Sequence, residues 1–345
     1  MAVTFGIFDH IDKQTFQPLG GTFADRLRVL ELADQAGFYS FHLAEHHGTP
    51  LCMGAAPGVF LGALSQRTRR LRFGPLVYLL PLYHPLRLIE EVCMLDHLSD
   101  GRLDLGVGRG VSPIELGFYG IDGSESRARF QEELEILLLG LRSKRLTFEG
   151  HFHQLRDVPI EFQPVQKPHP PIWYPTSAFE RLAWVAERGF NTVLLGGAER
   201  VRKGIDRYWE VWEAHHGSDE QRPKVGVQRN IFLADSDREA FELAQPNFRQ
   251  HYESLIKLWR EHHMETAAET FTPHLDEEIR DARAFIGSPA TVRDGLAEFV
   301  ERTGAEYIVV RLMFGDLRVE PVLHSLGLFV DEVMPALSTA AVPIG

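Results

Sequence analysis

The chain has 345 residues, of which 44% are hydrophobic and 24% charged, and this composition excludes an intrinsically disordered protein. The 36 Lys and Arg residues against 48 Asp and Glu residues leave a net charge of -12, which argues against nucleic acid as a partner because nucleic-acid-binding proteins carry a basic face. The two cysteines, Cys52 and Cys93, exclude a disulfide scaffold and fit a reducing compartment. The length suits either two average domains or one α/β barrel.

The N-terminal residues do not show the basic region and long apolar run that are typical of a signal peptide. No stretch reaches the roughly eighteen consecutive apolar residues that a membrane-spanning helix needs. We therefore expect a soluble, cytoplasmic protein that does not enter a membrane.

Short apolar runs alternate with helical patterns along almost the whole chain. Eight runs are predicted as strands, at residues 3–8, 39–44, 71–80, 103–107, 171–174, 192–195, 224–233 and 307–312. Strands that alternate with helices pair in parallel, with the helices covering the outside of the sheet. Eight such units favour closure into a (β/α)8 TIM barrel, and the absence of a linker predicts one domain over residues 1–345.

Two segments interrupt this alternation. Residues 145–170 are rich in Pro, Gln and His, and they predict an extended or hairpin insertion after the fourth unit. Residues 245–286 are long and charged, and they predict a second insertion that acts as a mobile lid.

The active site of such a barrel lies at the carboxyl ends of its strands, so polar residues at those positions are the candidates. They are Glu45, His46 and His47 after the second run, Tyr78, Tyr83 and His84 after the third, Arg109 after the fourth, Thr176 and Ser177 after the fifth, and Arg311 at the end of the eighth. A loop histidine such as His46 is either a proton-transfer group or a solvated, structural side chain.

Two of these positions fit a phosphate group. Glycines in the segment 106–110 allow a ligand to approach the backbone closely, and Arg109 within it suits an anion. The motif is weak alone, because it fits equally a tight barrel corner with a surface arginine. Ser177 and Glu180 form a capping box at the start of a helix, which either only caps the helix or also binds phosphate at its N-terminus.

The sequence gives little support to a metal site. His151 and His153 form a His-x-His pair in the first insertion, but no further ligands accompany them at metal-binding spacing. A metal-dependent hydrolase is therefore poorly supported, and we predict no bound metal. The nucleophile elbow of α/β-hydrolases and the Walker A motif are also absent from the sequence.

Several segments together resemble the bacterial-luciferase-like monooxygenases. The matching segments are residues 33–38 and 44–47 around the second strand, 84–87, 90–91, 95–102 and 106–110 after the third, 168–173 before the fifth, and 287–289 and 329–335 near the C-terminus. They follow the order of the family and extend from Phe5 to Leu337. One departure is Tyr174-Pro175, where the family commonly carries small residues. These larger residues either crowd the part of the site expected to hold a phosphate, or let the tyrosine ring stack on the ligand.

The resemblance implies a TIM barrel that binds reduced FMN reversibly. It assigns the 5′-phosphate to Arg109, Thr176 and Ser177. It also implies a non-prolyl cis peptide under the isoalloxazine ring, which we expect at the bond between Val77 and Tyr78.

The resemblance further implies that His46 is the catalytic histidine of a flavin-dependent monooxygenase. Such an enzyme oxygenates a small organic substrate with O2 through a flavin C4a-(hydro)peroxide. Because the chain has no nicotinamide motif, we expect a separate NAD(P)H:flavin reductase as a partner. The family also often dimerises through its second and third helices, so we expect a homodimer. The alternatives are a coenzyme F420-dependent oxidoreductase on the same fold and a flavin-binding barrel that performs no turnover.

Overall fold

The computed structural model describes residues 2–176, 178–217, 221–264 and 271–338. The strands are β1 Thr4–Asp9, β2 Ser40–Leu43, β3 Arg72–Pro75, β4 Tyr78–Leu79, β5 Leu105–Gly108, β6 Arg145–Glu149, β7 Gln154–Pro159, β8 Ile172–Trp173, β9 Thr192–Leu194, β10 Val225–Leu233, β11 Ala284–Gly287 and β12 Tyr307–Arg311. The helices are α1 Leu19–Ala36, α2 Pro57–Arg67, α3 Pro85–Leu98, α4 Pro113–Phe118, α5 Ser126–Gly140, α6 Phe179–Glu187, α7 Ala198–His215, α8 Asp237–Glu261, α9 Leu275–Arg280, α10 Pro289–Thr303, α11 Val319–Leu328 and α12 Met334–Leu337.

The parallel strands close into a ring. β12, β1, β2 and β3 lie side by side, and β4 continues β3 and pairs with β5, which pairs with β8. A single bridge between Trp173 and Asn191 links β8 to the start of β9, and β9 and β12 both pair with β10. With β3 and β4 counted as one interrupted strand, the predicted TIM barrel is confirmed, and each predicted run overlaps a strand.

Alternation along the strands separates the barrel interior from the layer under the helices. On β12, Ile308 and Val310 join the large core beneath the helices, whereas Tyr307 and Val309 pack inside the barrel with Trp173. The Tyr307 ring lies 5.6 Å from the ring of Trp173 across the interior. Gly6 of β1 faces the same space, and a Cβ atom there would lie 2.0 Å from the Tyr307 hydroxyl. The lower interior is therefore filled by side chains.

The first insertion is the predicted hairpin, since β6 and β7 pair antiparallel. The second contains more regular structure than the sequence analysis predicted. The 25-residue helix α8 occupies its first half, and β11 at its end pairs in parallel with the upper half of β10. Residues 265–270 of this segment lie outside the described residues, and its role as a lid stays a prediction. None of the described helices has the length and apolarity needed to cross a bilayer.

Candidate active site

His46 lies just beyond β2, at the carboxyl end of the barrel, where the sequence analysis expected it. Its Nδ1 is 3.1 Å from Oε1 of Glu115 on α4, and Oε2 of the same carboxylate accepts a hydrogen bond of 2.7 Å from the backbone N–H of His47. The His46 side chain is 21% exposed, while that of Glu115 is 7% exposed. A buried carboxylate thus orients one nitrogen of His46, and its Nε2 has no hydrogen-bond partner among the described residues.

The neighbouring His47 has a structural environment. Its Nε2 lies 2.9 Å from Oε1 of Glu45, and its Nδ1 lies 2.8 Å from the hydroxyl of Tyr119. The buried Glu45 also accepts hydrogen bonds from the Tyr83 hydroxyl and from the backbone N–H of Leu79, both at 2.9 Å. Glu45 and His47 therefore fix the loop after β2 against β4, and both ring nitrogens of His47 are occupied.

A row of imidazoles continues from His46 across the mouth of the barrel. The ring of His10, just after β1, stacks 5.7 Å from the ring of His46 and lies 5.2 Å from the ring of His251 on α8. Nδ1 of His251 is 2.8 Å from Oδ1 of Asp12, and Nε2 of His251 accepts a hydrogen bond from Nη1 of Arg311. Because arginine only donates, His251 carries its proton on Nδ1 and is neutral.

Burial determines the protonation of His10, His251 and Asp12. It lowers the pKa of His10 and of His251 well below the ordinary histidine value, and the nearby charge of Arg311 acts in the same direction. Burial also raises the pKa of Asp12 to about 7, against the opposing attraction of Arg311. Both imidazoles are consequently neutral hydrogen-bonding groups at neutral pH.

The sequence analysis did not single out His10, Asp12 or His251. The position of His10 could have been predicted from the sequence. Side chains alternate along a strand, and His10 follows Gly6 and Phe8 at every second position on the face towards the barrel interior. His251 had no local signal, since only the path of α8 over the barrel brings it to the site.

The prediction of a cis peptide at the bond between Val77 and Tyr78 is wrong by one residue. The non-prolyl cis bond lies between Leu76 and Val77, at the point where the strand leaves its partner β2 and joins β5. The apolar run gave no sign of where this exchange of partners occurs. Tyr78 already belongs to β4, and its buried hydroxyl donates a 2.7 Å hydrogen bond to Glu91 on α3, so its side chain points away from the barrel interior.

Three guanidinium groups gather beside the ends of β5 and β8. Arg109 donates a 3.4 Å hydrogen bond to Oγ of Ser126, and its buried Nε has no partner. Arg181 donates to the hydroxyl of Tyr174 at 3.2 Å. Burial and repulsion by Arg181 and Arg127 lower the pKa of Arg109, and among the described residues no carboxylate is paired with any of the three. We call Arg109, Arg127 and Arg181 the arginine cluster.

Helix α6 begins beside this cluster. Oγ1 of Thr176 accepts a 3.2 Å hydrogen bond from the backbone N–H of Ala178, one residue before the helix. Ser177, and with it the predicted capping box, lies outside the described residues. Tyr174 is buried and packs its ring against Phe130 and Trp184, so it does not stack on a ligand.

The donor set of this region fits a phosphate group. Unpaired guanidinium groups beside a helix N-terminus provide charge-assisted hydrogen bonds and a favourable dipole for a dianion such as the phosphate of FMN. No metal site competes with this interpretation in the described parts of the chain, where no three metal-ligating side chains come together. His153 of the His-x-His pair instead lies 3.5 Å from Glu133.

Known proteins share both the sequence pattern and the fold. The family described as luciferase-like monooxygenase matches residues 3–307. Protein y4wF of Sinorhizobium fredii (strain NBRC 101917 / NGR234) is 38% identical over 96% of each chain. The monooxygenase RslO1 from Streptomyces bottropensis superposes with a TM-score of 0.85 at 26% identity, covering 96% of this chain and 99% of that one.

A further similar structure was solved with a bound cofactor. The oxygenating constituent of 3,6-diketocamphane monooxygenase from Pseudomonas putida, in complex with FMN, has a TM-score of 0.78 at 25% identity and covers 97% of this chain and 98% of its own. The family match spans most of the chain, and the barrel fold agrees with it. The protein is therefore a member of the luciferase-like monooxygenase family of oxidoreductases.

Proposed function

We propose that this protein is the oxygenase of a two-component monooxygenase that uses reduced FMN and O2 to oxygenate a small organic substrate. The observation that carries the proposal is the arginine cluster, whose members lack carboxylate partners among the described residues and lie beside the start of α6. The similar diketocamphane monooxygenase constituent binds FMN, which supports the same cofactor here.

In this proposal the arginine cluster and Thr176 hold the phosphate, and Ser177 remains a predicted ligand. The backbone around Val77, at the partly exposed interruption of the strand, would support the flavin ring. Reduced FMN supplies the electrons that activate dioxygen, while the protein supplies orientation and a shielded cavity. Phe8 and Leu76, which pack onto the aromatic interior, provide an apolar floor that excludes water.

His46 is proposed to hold and move a proton at Nε2. Glu115 fixes the ring through Nδ1, and Nε2 has no partner among the described residues, so it is the nitrogen left for a ligand. Histidine side chains can take up and release protons during catalysis near neutral pH. The role of Glu115 is to position the ring, since it contacts the opposite nitrogen.

Two protein partners complete the proposal. A separate NAD(P)H:flavin reductase supplies the reduced flavin, because the sequence contains no nicotinamide motif. A second copy of the chain pairs through α2 and α3, which pack side by side. Val59, Met94 and Leu98 on these helices are 78%, 54% and 51% exposed, so the two helices present apolar side chains that a second copy would cover.

Titration of the protein with FMN, riboflavin and coenzyme F420 tests the cofactor, with flavin fluorescence as the readout. We expect FMN to bind reversibly and about tenfold or more tighter than riboflavin, because charge-assisted bonds to its phosphate are worth about 1.5–3 kcal/mol. Equal affinities for FMN and riboflavin would contradict the phosphate assignment. Preferential binding of F420 would favour the oxidoreductase alternative.

A stopped-flow experiment separates an oxygenase from a barrel without turnover. The protein is saturated with reduced FMN and mixed with oxygenated buffer, and flavin absorbance is followed. We expect reoxidation at a rate clearly different from that of free reduced FMN, because the enclosed site changes the access of O2 and protons. An unchanged rate in protein that binds FMN would support the non-catalytic alternative.

A further inference from the structure

The interior face of the barrel carries a buried cation, Arg311, that does not belong to the arginine cluster. On β12 the residues Tyr307 and Val309 point inward, so Arg311 continues this face at the carboxyl end of the strand. Arg311 is 7% exposed, and its only hydrogen bond among the described residues is the one that it donates to His251. Its Nε is buried without a partner.

No carboxylate in the described parts of the chain forms an ion pair with Arg311. The acidic groups that act on it most strongly have other partners, because Asp12 is hydrogen-bonded to His251 at 2.8 Å and Glu278 lies 3.1 Å from Arg283. Removing an unpaired charge from water is costly, so a buried guanidinium normally has an anionic partner. The neutral imidazole that Arg311 contacts does not supply that charge.

Neutral hydrogen-bonding groups flank Arg311. Asn230 on β10 is its register partner, and Oδ1 of Asn230 accepts a 3.0 Å hydrogen bond from Gln228, which leaves the Asn230 Nδ2 without a partner in the described chain. Nε2 of His10 is also without one, and the His10 ring lies between those of His46 and His251. The possible anion donors Arg311, Asn230 and His10 are thus connected through the row of imidazoles to His46, the proposed proton-transfer group.

We propose that Arg311, with Asn230 and His10, binds an anionic oxygen group of the substrate, and that the substrate is therefore a small organic acid carrying a carboxylate. The guanidinium and the carboxamide donate to the carboxylate, which places the rest of the molecule along the row towards His46. This inference rests on the proposed function, because it assigns the substrate class of the same site. A carboxylate bound by arginine has fixed geometry, so the group also orients the substrate.

The test compares benzoate with benzamide, which has the same shape and no charge. Both are titrated calorimetrically into the full-length protein saturated with FMN, and into Arg311→Met, Asn230→Leu and Lys224→Met. Lys224 is the matched control, because it is a half-buried cation that packs on Tyr39 near the opposite end of the barrel. FMN affinity of every variant is measured separately by fluorescence.

We expect wild type to bind benzoate about tenfold or more tighter than benzamide. Arg311→Met lowers benzoate affinity by roughly tenfold to a hundredfold and benzamide affinity by less than about twofold, as loss of a charge-assisted hydrogen bond predicts. Asn230→Leu lowers benzoate affinity by about fivefold and keeps the guanidinium, so it tests the subsite even if Arg311→Met does not fold. Lys224→Met leaves both affinities unchanged.

Four results would overturn the inference. The first is that wild type does not bind benzoate at millimolar concentration, and the second is that it binds benzamide with equal affinity. The third is that Arg311→Met keeps the wild-type affinity for benzoate. The fourth is that Arg109→Met loses benzoate binding instead, which would place the anion in the arginine cluster. If Arg311→Met weakens FMN and not benzoate, Arg311 serves the flavin and the inference also fails. The same benzoate titration is also run on wild-type protein without FMN. Benzoate binding there, in a protein that does not bind FMN, would refute the proposed function and leave the anion subsite standing.

Discussion

Arg109 is held by one long hydrogen bond to Ser126, and its buried Nε is left without a partner. The free energy of removing this donor from water is therefore not recovered within the described chain. A ligand oxygen that accepts a hydrogen bond from the arginine cluster would recover this free energy. The affinity of Arg109 for a phosphate should thus be measurable as a difference between ligands with and without that group.

Replacement of Arg109 by alanine should weaken FMN binding by roughly tenfold to a hundredfold and leave riboflavin binding nearly unchanged. Riboflavin lacks the phosphate, so it reports the ring contacts alone. Calorimetric titration of both flavins measures the difference. Arg188→Ala is the control, because Arg188 is an exposed cation near the end of α6 that stacks on Trp184. Equal losses for the two flavins would move Arg109 away from the phosphate.

Replacement of His46 by alanine should keep FMN affinity and reduce the rate of substrate oxygenation by about 10²–10⁴, the usual effect of losing an acid–base group. Peroxide released per flavin oxidised should rise. The measurement is single-turnover product yield with pre-reduced, FMN-saturated protein. Glu115→Gln should cause a smaller loss, because Glu115 orients the ring through Nδ1 and the variant keeps Nε2 of His46. A wild-type rate in His46→Ala would exclude the catalytic role.

The hairpin of β6 and β7 is attached to α5 through two adjacent carboxylates. Glu132 accepts hydrogen bonds from the backbone N–H groups of His151, Phe152 and His153 in the hairpin turn. Glu133 is buried beneath them, and burial raises its pKa to about 8. The hairpin is therefore held by the hydrogen bonds that Glu132 accepts, and it covers a neighbouring carboxyl group whose pKa is raised by burial.

Glu133→Gln should make the stability of the protein less dependent on pH. The pKa of about 8 keeps folded Glu133 protonated up to that pH, whereas the unfolded residue loses its proton near the ordinary glutamate pKa of 4.5. The folded state binds more protons in this window, so the free energy of unfolding falls as the pH rises through it, by up to ~1.4 kcal/mol per pH unit. Urea denaturation between these pH values measures the slope. Glu135→Gln, at an exposed position of the same helix, should leave it unchanged.

The elements differ in how well the sequence predicted them. The apolar runs predicted every barrel strand, because a parallel strand buried on both sides needs continuous hydrophobic residues. The short run at 284–287 was missed, since it lies inside a charged segment and becomes a strand only by pairing with β10. The position of the cis bond depended on an exchange of strand partners, which the residues 75–78 do not encode locally.

At the scale of the whole molecule, the sequence correctly placed Arg109 and His46 at the carboxyl end of the barrel, because both come just after predicted strands. It could not predict the contact between Arg311 and His251, which are 60 positions apart and meet only because α8 crosses the mouth of the barrel. Contacts of this kind depend on the path of an insertion, for which the strand and helix pattern holds no information.

The exposed apolar residues on α2 and α3 lead us to predict a homodimer. The double variant Val59→Glu and Met94→Glu should convert a homodimer into a folded monomer, because two charges would be buried at the shared surface. Size-exclusion chromatography with light scattering at micromolar concentration measures the mass. Leu19→Glu, an exposed apolar position at the start of α1, is the control and should remain dimeric. A monomeric wild type would contradict the prediction.

The filled lower interior of the barrel has a kinetic consequence. Tyr307, Trp173 and His42 are all almost completely buried, and a Cβ atom at Gly6 would lie 2.0 Å from the Tyr307 hydroxyl. On the proposed function, flavin, organic acid and dioxygen therefore all enter at the carboxyl end of the barrel. We expect bound acid to hinder the entry of flavin and bound product to hinder its release, so turnover is fastest when flavin binds before the acid. Product inhibition patterns would show this as a product that traps flavin on the protein.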